Sequence, residues 1–225
     1  MTDAAARVRA ELRAAADPAR APGQQAYMKS TMPFLGVTVP EVRRIARAAA
    51  RELPDAAGIH DVAAELWDAA AYREERYAAM HLLASRATRG DLATVPLIDH
   101  MVRTGAWWDI TDELAGRVRE LHDRHPDAAA DLVRQWRVDE DFWMRRLGII
   151  SQLGRRERID LDLLAEAIAP SIDDREFFLR KAIGWALRDA ARTHPDWVRA
   201  FVDGHDLSPL SRREALKHLS ASPVD

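Results

Sequence analysis

Apolar residues recur at spacings of three and four along nearly the whole chain, and strict alternation is nowhere long enough to indicate a strand. Because a period near 3.6 residues places such positions on one helical face, the pattern predicts an all-α protein of about twelve helices. Prolines and glycines separate the apolar stretches and mark short turns. The predicted helices cover residues 3–16, 38–53, 60–70, 72–87, 92–103, 107–123, 127–137, 140–153, 161–169, 174–193, 196–203 and 209–220.

Local signals at the helix starts refine these bounds. The two prolines and the glycine of residues 17–23 predict a loop. Thr38, followed by Pro40, begins a helix in the manner of an N-cap. Capping boxes, in which the cap and the residue three positions later bind each other's backbone N–H, are predicted for three pairs: Thr38 with Glu41, Asp173 with Glu176, and Ser211 with Glu214.

Pairs of basic residues recur at nearly constant spacing in the second half of the chain. They are Arg145-Arg146, Arg180-Lys181 and Arg212-Arg213, separated by steps of 35 and 32 residues. HEAT-type helical hairpins repeat at about 40 residues, so the match is loose, yet stacked hairpins explain it better than an up-down bundle. The prediction is a single domain, residues 1–225, built as a curved solenoid with a concave binding face.

Each basic pair falls near a predicted helix start, where the helix dipole disfavours cations. An anion bound there by guanidiniums and free amides explains the arrangement. Salt bridges to Asp141, Asp174 or Glu176 explain any one pair equally well. Three pairs in register favour the anion.

Residues 107–114 combine two adjacent tryptophans with acids. Trp108 and Asp112 are four residues apart and therefore share one helical face, which forms a candidate site for a cation. The alternative is a buried core tryptophan beside a solvated acid. Trp108, Arg146 and Trp185 lie 38 and 39 residues apart, close to one repeat, so we expect them to face one cleft with Asp112.

Lys181 and Arg188 lie on the same helical face as Trp185. Aromatic rings, one acid and a rim of bases suit a nucleic acid, because arginines bind phosphates and π-faces pack on sugars or bases. A generic protein-interaction scaffold predicts an apolar groove instead.

Composition narrows the class of protein. The 225 residues are 48% hydrophobic and 31% charged and include no cysteine, so disulfides and thiolate chemistry are excluded. No signal sequence or membrane-spanning run is apparent, and we expect a cytoplasmic protein. The net charge of −3 argues against polyanion binding over the whole surface, but residues 134–158 are locally basic.

Cofactor and metal signals are weak. His122 and His125 flank Asp123 at a spacing that fits neither a helical pair of ligands nor a closed zinc site. Nucleotide-binding and Ser-His-Asp motifs are absent. The prediction is therefore no metal and no cofactor.

Six stretches of the chain, taken in order, match a known family. They are Tyr27-Met28-Lys29, Pro33-Phe34-Leu35-Gly36, Trp107-Trp108-Asp109 with Asp112, Trp143 with Arg146, Glu176-Phe177-Phe178 with Lys181 to Arg188, and Leu207 to Ser211 with Arg213 to His218. In these stretches the chain resembles the AlkD-like DNA alkylation repair family, which are HEAT-like repeat DNA glycosylases. They span almost the whole chain, and as a set they are highly specific.

The resemblance implies the removal of purines alkylated at N3 or N7, of the 3-methyladenine and 7-methylguanine type. Asp112 is then the catalytic carboxylate, which stabilises an oxocarbenium-like deoxyribose and positions the attacking water. Trp108 and Trp185 pack on the sugar. Arg146 matches the phosphate-contacting arginine of the family, and weaker candidates for DNA contacts are Tyr27, Lys29, Lys181, Arg188 and Arg213.

No lysine is predicted beside Asp112, which indicates a monofunctional glycosylase in base excision repair. The expected partner is double-stranded DNA containing alkylated purines, bound by a monomer that is nucleoid-associated when on DNA. Two alternatives remain: a non-catalytic homologue of the same fold that binds DNA structures, and a helical-repeat interaction scaffold.

Overall fold

The structure is a computed structural model that describes residues 2–219. Within these residues it contains thirteen α-helices and no strand, which confirms the all-α prediction. The helices are α1 (Asp3–Ala14), α2 (Ala21–Met28), α3 (Val39–Glu52), α4 (Ala56–Asp68), α5 (Arg73–Leu82), α6 (Val95–Gly105), α7 (Trp108–Arg124), α8 (Pro126–Trp136), α9 (Phe142–Ile150), α10 (Leu161–Ile168), α11 (Phe177–Ala190), α12 (Pro195–Gly204) and α13 (Pro209–Ala215). Three single turns of 3₁₀ helix occupy Leu92–Thr94, Arg156–Arg158 and Ala169–Ser171.

The chain contacts divide after Met101 into two compact units, here called unit 1 (up to Met101) and unit 2 (from Val102). Each is described by itself. No helix in the described part of the chain is long and apolar enough to cross a bilayer.

Helix α2 was not expected, because its first residues lie in the predicted loop 17–23. The helix begins at Ala21 with Pro22 in its first turn, where proline's fixed φ and missing N–H are tolerated. It ends at Met28, and the next residue, Lys29, caps it in a left-handed conformation with φ of 50°. Pro22 thus lies in the first turn of this helix instead of excluding a helix there.

The predicted capping boxes are wrong in detail. Thr38 does precede α3, but its side chain makes no capping hydrogen bond. Glu176 is itself the cap of α11 and accepts the N–H of Phe178. Ser208, not Ser211, caps α13, because Pro209 already occupies its first turn. Helix α13 ends at Ala215, short of the predicted 209–220, of which residue 220 lies outside the described residues.

Unit 1 packs α1, α3, α4 and α5 around an apolar core. The loop before α3 is held by Glu74 of α5, whose carboxylate accepts the backbone N–H groups of Leu35, Gly36 and Val37 at 2.9 to 3.1 Å. Gly36 has φ of +88°, and a Cβ there would lie 2.0 Å from the carbonyl oxygen of Asp17. The Pro33–Gly36 motif is therefore explained by local structure.

Unit 2 is an array of helical hairpins. One layer of unit 2 consists of α7, α9, α11 and α13, and each of these helices packs against the next. The remaining helices pack on this layer: α8 contacts α7 and α9, α10 contacts α9 and also α8, and α12 contacts α11 and α13. This is the helical-repeat arrangement that the spacing of the basic pairs predicts. Gly184 permits the close approach of α11 and α13, because an added Cβ would lie 2.5 Å from the Cβ of Glu214.

Candidate active site

An ion pair between Asp112 and Arg146 is the centre of the candidate site in unit 2. Asp112 lies on α7, one turn after Trp108, and Arg146 lies on α9. The Arg146 Nε donates to Oδ1 of Asp112 at 2.8 Å and Nη2 donates to Oδ2 at 2.9 Å. Its Nη1 donates to the carbonyl oxygen of Phe178 on α11 at 2.6 Å. One guanidinium therefore connects three successive helices of the array.

Burial sets the electrostatics of this pair. Arg146 is 4% exposed, and the Asp112 side chain is 17% exposed. Burial raises the pKa of the Asp112 carboxyl, and this effect outweighs the hydrogen bond and charge of Arg146, with the negative charge of Asp109 adding to the rise. The ionised carboxylate is thus incompletely compensated inside the protein, and a further cation close to it is favoured.

The structure gives Arg146 intramolecular partners that the resemblance did not indicate. The resemblance implies a phosphate contact, but the guanidinium is buried and its Nε, Nη1 and Nη2 groups all donate within unit 2. These three hydrogen bonds use three of the five guanidinium N–H groups. Arg146 therefore holds the Asp112 carboxylate in place, and its contact with a phosphate stays a prediction.

Two tryptophan rings pack against the ring of Phe178, the residue whose carbonyl oxygen accepts the third hydrogen bond of Arg146. The Trp107 ring centroid lies 5.6 Å from that of Phe178 and 6.1 Å from that of Trp143, and Trp143 lies 4.9 Å from Phe178. Trp107 therefore packs at the base of α7 as a supporting residue. Sequence reasoning assigned no role to Trp143 or Phe178. The signal was available, since the doublets Phe142-Trp143 and Phe177-Phe178 are 35 residues apart, as are the first two basic pairs.

The two tryptophans predicted to contact the sugar are both partly exposed. Trp108 begins α7, and Trp185 lies in the middle of α11. The alternative of a core tryptophan beside a solvated acid is wrong, because only 17% of the Asp112 side chain is exposed and Trp108 lies outside the buried core. That Trp108 and Trp185 share one cleft with Asp112 stays a prediction.

Lys181 and Arg188 are both bound to Glu214 of α13. The Lys181 Nζ lies 3.1 Å from Oε1 of Glu214, and the Arg188 Nη1 lies 2.7 Å from Oε2. The hydrogen bond from Lys181, together with the charges of both bases, lowers the pKa of Glu214. Sequence reasoning had taken Glu214 for a capping residue. The Lys181 side chain is still 38% exposed, so a phosphate has access to it.

The other basic pairs are explained largely by salt bridges. Arg145 pairs with Asp174 at 3.0 Å, as the alternative interpretation proposed, and Arg212 pairs with Asp203 at 2.9 Å. The expectation that an external anion explains these residues is therefore wrong for both. Arg213 is exposed, and its guanidinium makes no ion pair within residues 2–219.

Two predicted DNA contacts lie at the end of α2 in unit 1. Tyr27 is 75% exposed, and Lys29 is exposed at the residue that ends the helix. Tyr27 is among the few large hydrophobic residues exposed in the described part of the chain, and Lys29 follows it two positions later.

His122 is a core residue. It is buried, and its Nε2 lies 3.2 Å from the Ser151 hydroxyl oxygen. Burial lowers its pKa to about 4, so the ring is neutral at physiological pH. Within residues 2–219 no cluster of three or more side chains is arranged to hold a metal ion.

Known proteins match this chain over most of its length. A protein-family model described as "DNA alkylation repair enzyme" matches residues 8–219. The chain belongs to this family. Among solved structures, a predicted DNA alkylation repair enzyme from Enterococcus faecalis is 30% identical, with a TM-score of 0.84, over 92% of this chain and 98% of that one.

Two more distant solved structures share the fold. AlkD2 from Streptococcus mutans is 18% identical with a TM-score of 0.66, over 89% of this chain and 99% of its own. The protein smu.31 from Streptococcus mutans UA159 is 19% identical with a TM-score of 0.63, over 81% and 93%. No curated protein matches the chain.

Proposed function

We propose that this member of the DNA alkylation repair enzyme family is a monofunctional DNA glycosylase that excises cationic purines alkylated at N3 or N7 in base excision repair. One observation supports the proposal most strongly. Asp112 is a largely buried carboxylate with a raised pKa, held at both oxygens by Arg146 and set one helical turn from Trp108.

The reaction suits such a carboxylate. An N3- or N7-alkylated purine already carries positive charge, so it leaves with the electrons of the glycosidic bond as a neutral base. The deoxyribose becomes oxocarbenium-like, and water adds to its C1′ to give an abasic site. Asp112 stabilises the cationic sugar electrostatically and positions that water. Little acid catalysis is needed.

The ion pair with Arg146 contributes preorganisation. Two parallel hydrogen bonds fix both the place and the plane of the Asp112 carboxylate before substrate arrives. Because burial disfavours its charge, the carboxylate gains more from a cation in the transition state than a fully solvated acid would. The interaction is therefore strongest when the sugar carries positive charge.

DNA binding is assigned to the exposed or partly exposed residues. Trp108 and Trp185 pack on the sugar and its backbone with their π-faces toward the developing cation. Phosphate or other DNA contacts come from Tyr27, Lys29, Lys181, Arg188 and Arg213. The protein acts as a monomer, without a cofactor, on double-stranded DNA containing alkylated purines. We propose a cytoplasmic enzyme, nucleoid-associated when bound to DNA.

The test measures release of free base from duplex DNA containing 7-methylguanine or 3-methyladenine. Asp112→Asn removes the charge and keeps the shape, and we expect a loss of about 10²- to 10³-fold in single-turnover rate with DNA binding retained. Asp127→Asn is the control, since it removes an exposed acid of the same unit and should change the rate less than twofold.

Release at the wild-type rate by Asp112→Asn would refute the catalytic assignment. Tight binding of duplex DNA by a wild-type protein that releases no base would instead support a DNA-structure-binding homologue.

A further inference from the structure

Unit 1 contains a cationic pocket that the proposed excision site does not use. Its volume is about 360 Å³, and it lies between the second half of α3 and the segment that follows α5. Arg47 and Arg51 line it from α3, and Arg86 lines it from the segment after α5. The buried His81 and the hydroxyl of Ser85 complete its polar lining, and the remaining residues are alanines.

The three arginines have no counter-charge. No carboxylate lines the pocket, and within residues 2–219 none of the three guanidiniums makes an ion pair or a hydrogen bond. The acids of α3 are engaged elsewhere: Glu41 binds Arg44 at 2.9 Å, and Glu52 binds Arg7 at 3.1 Å. The pocket therefore collects positive charge that the protein leaves uncompensated.

The local helix structure explains how three positive charges are tolerated in the pocket, but it does not explain why three arginines line the same pocket. Arg47 and Arg51 are four residues apart on one helical face, a spacing at which like charges destabilise a helix. The C-terminal ends of α3 and α5 favour cations through their dipoles, which offsets part of the repulsion. An anion between the three guanidiniums would remove the rest.

The chemistry of the lining selects the kind of anion. Guanidiniums present several N–H donors in a planar fork that matches phosphate oxygens. Phe, Tyr and Trp are absent from the lining, so nothing there stacks on a base, and no Asn or Gln is present to read one. The pocket therefore suits a phosphate group recognised without regard to sequence.

We propose that this pocket binds a phosphodiester of the DNA backbone, as a contact made by unit 1 in addition to the site around Asp112. The proposal rests on the proposed function for the identity of the ligand. It predicts a contribution to affinity that is equal for damaged and undamaged DNA, since the pocket contacts no base.

The test compares two double variants of equal charge change. Arg47→Ala/Arg51→Ala removes two pocket arginines. Arg7→Ala/Arg44→Ala removes two exposed arginines of α1 and α3 that already pair with carboxylates. Binding of an undamaged duplex is measured by fluorescence anisotropy across a series of salt concentrations.

We expect the pocket variant to lose affinity roughly tenfold at low salt and to have a log–log salt slope shallower by about 1. The control should lose less than about twofold, and Arg86→Ala should weaken binding in the same direction as the pocket variant. Thermal melting should show no loss of stability, because the pocket arginines have no partners to lose.

Several outcomes would contradict the proposal that the pocket binds a DNA phosphodiester. Equal losses in the two double variants would reduce it to general surface charge. Inorganic phosphate that protects the wild type but not Arg47→Ala/Arg51→Ala against heat, without any difference in DNA affinity, would assign it to a free anion. Wild-type base release with unchanged DNA affinity in the pocket variant would refute this proposal alone, whereas a wild type that binds no duplex would refute both proposals.

Discussion

Glu74 in unit 1 and Asp112 in unit 2 are both carboxylates withdrawn from water, but their hydrogen-bond donors differ in kind. Glu74 is 0% exposed and accepts three backbone N–H groups from consecutive residues of one loop. Asp112 keeps 17% of its side-chain surface and accepts from a single guanidinium. The Glu74 carboxylate is therefore held by the main chain, whereas the Asp112 carboxylate is held by one side chain, which a substitution can remove.

Under the proposed function, this is the difference expected between a structural carboxylate and a catalytic one. Fixed amide dipoles satisfy Glu74 without a counter-ion, so the loop and the carboxylate stabilise each other and nothing is left for a ligand. Asp112 has a cation beside it, yet burial still raises its pKa. The unmet part of its charge is what an oxocarbenium-like sugar would satisfy. Burial alone therefore does not identify a catalytic acid.

The largest expected effect is on the stability of unit 1 and tests the structural role of Glu74. Glu74→Ala should lower the free energy of unfolding by about 4 kcal/mol or more, because three buried N–H groups lose their acceptor at about 1–3 kcal/mol each. Glu41→Ala, which removes an exposed acid, is the control and should cost little. Urea denaturation measures both. A loss no greater than that of the control would show that the loop is held by other contacts.

The next effect tests the arginine that holds Asp112. Arg146→Lys keeps the charge but loses the bidentate geometry, and we expect base release to fall roughly tenfold or more while DNA affinity changes little. Arg145→Lys, in the neighbouring salt bridge to Asp174, is the matched control. If Arg146→Lys weakened DNA binding at every lesion and left the bound-state rate unchanged, the arginine would be a phosphate ligand after all.

The smallest effect concerns pH. Because burial raises the pKa of Asp112, its protonation begins at a higher pH than for an exposed aspartate. Enzyme-dependent release should therefore be complete above that raised pKa and decline as the pH falls through it. Asp109 contributes to the rise, so Asp109→Asn should move the decline to lower pH by a fraction of a unit. Single-turnover rates, corrected for spontaneous depurination, measure the shift, and a move in the other direction would contradict it.

Much of the fold could be predicted from the chain because the signals were local. The 3.6-residue period and the recurrence of basic pairs at 35 residues predicted helical hairpins, and unit 2 contains them. Helix ends were less predictable. Pro22 and Pro209 lie in the first turns of helices, at positions where the sequence also carries signals for a turn or for a different cap residue. Short-range rules of similar strength conflict there, and packing decides between them.

The sequence predicted which helices of unit 2 carry the candidate site, but it did not predict the hydrogen-bond partners of the side chains there. Repeat spacing brought Asp112 and Arg146 to neighbouring helices, and the structure joins them directly. It did not reveal that Arg146 would bind the acid directly, or that Glu214 would bind both Lys181 and Arg188. Those pairings depend on side chains 26 to 34 residues apart meeting within about 3 Å.

The sequence by itself determined the helical class, the repeat spacing and the family resemblance, because each depends on which residue types recur at which intervals. The tertiary structure alone decided which carboxylate is saturated and which is available, and where three arginines meet without a counter-ion. The physical reason is range. Periodicity is set within one or two helical turns, whereas desolvation and hydrogen-bond partners are set by every element packed around a group.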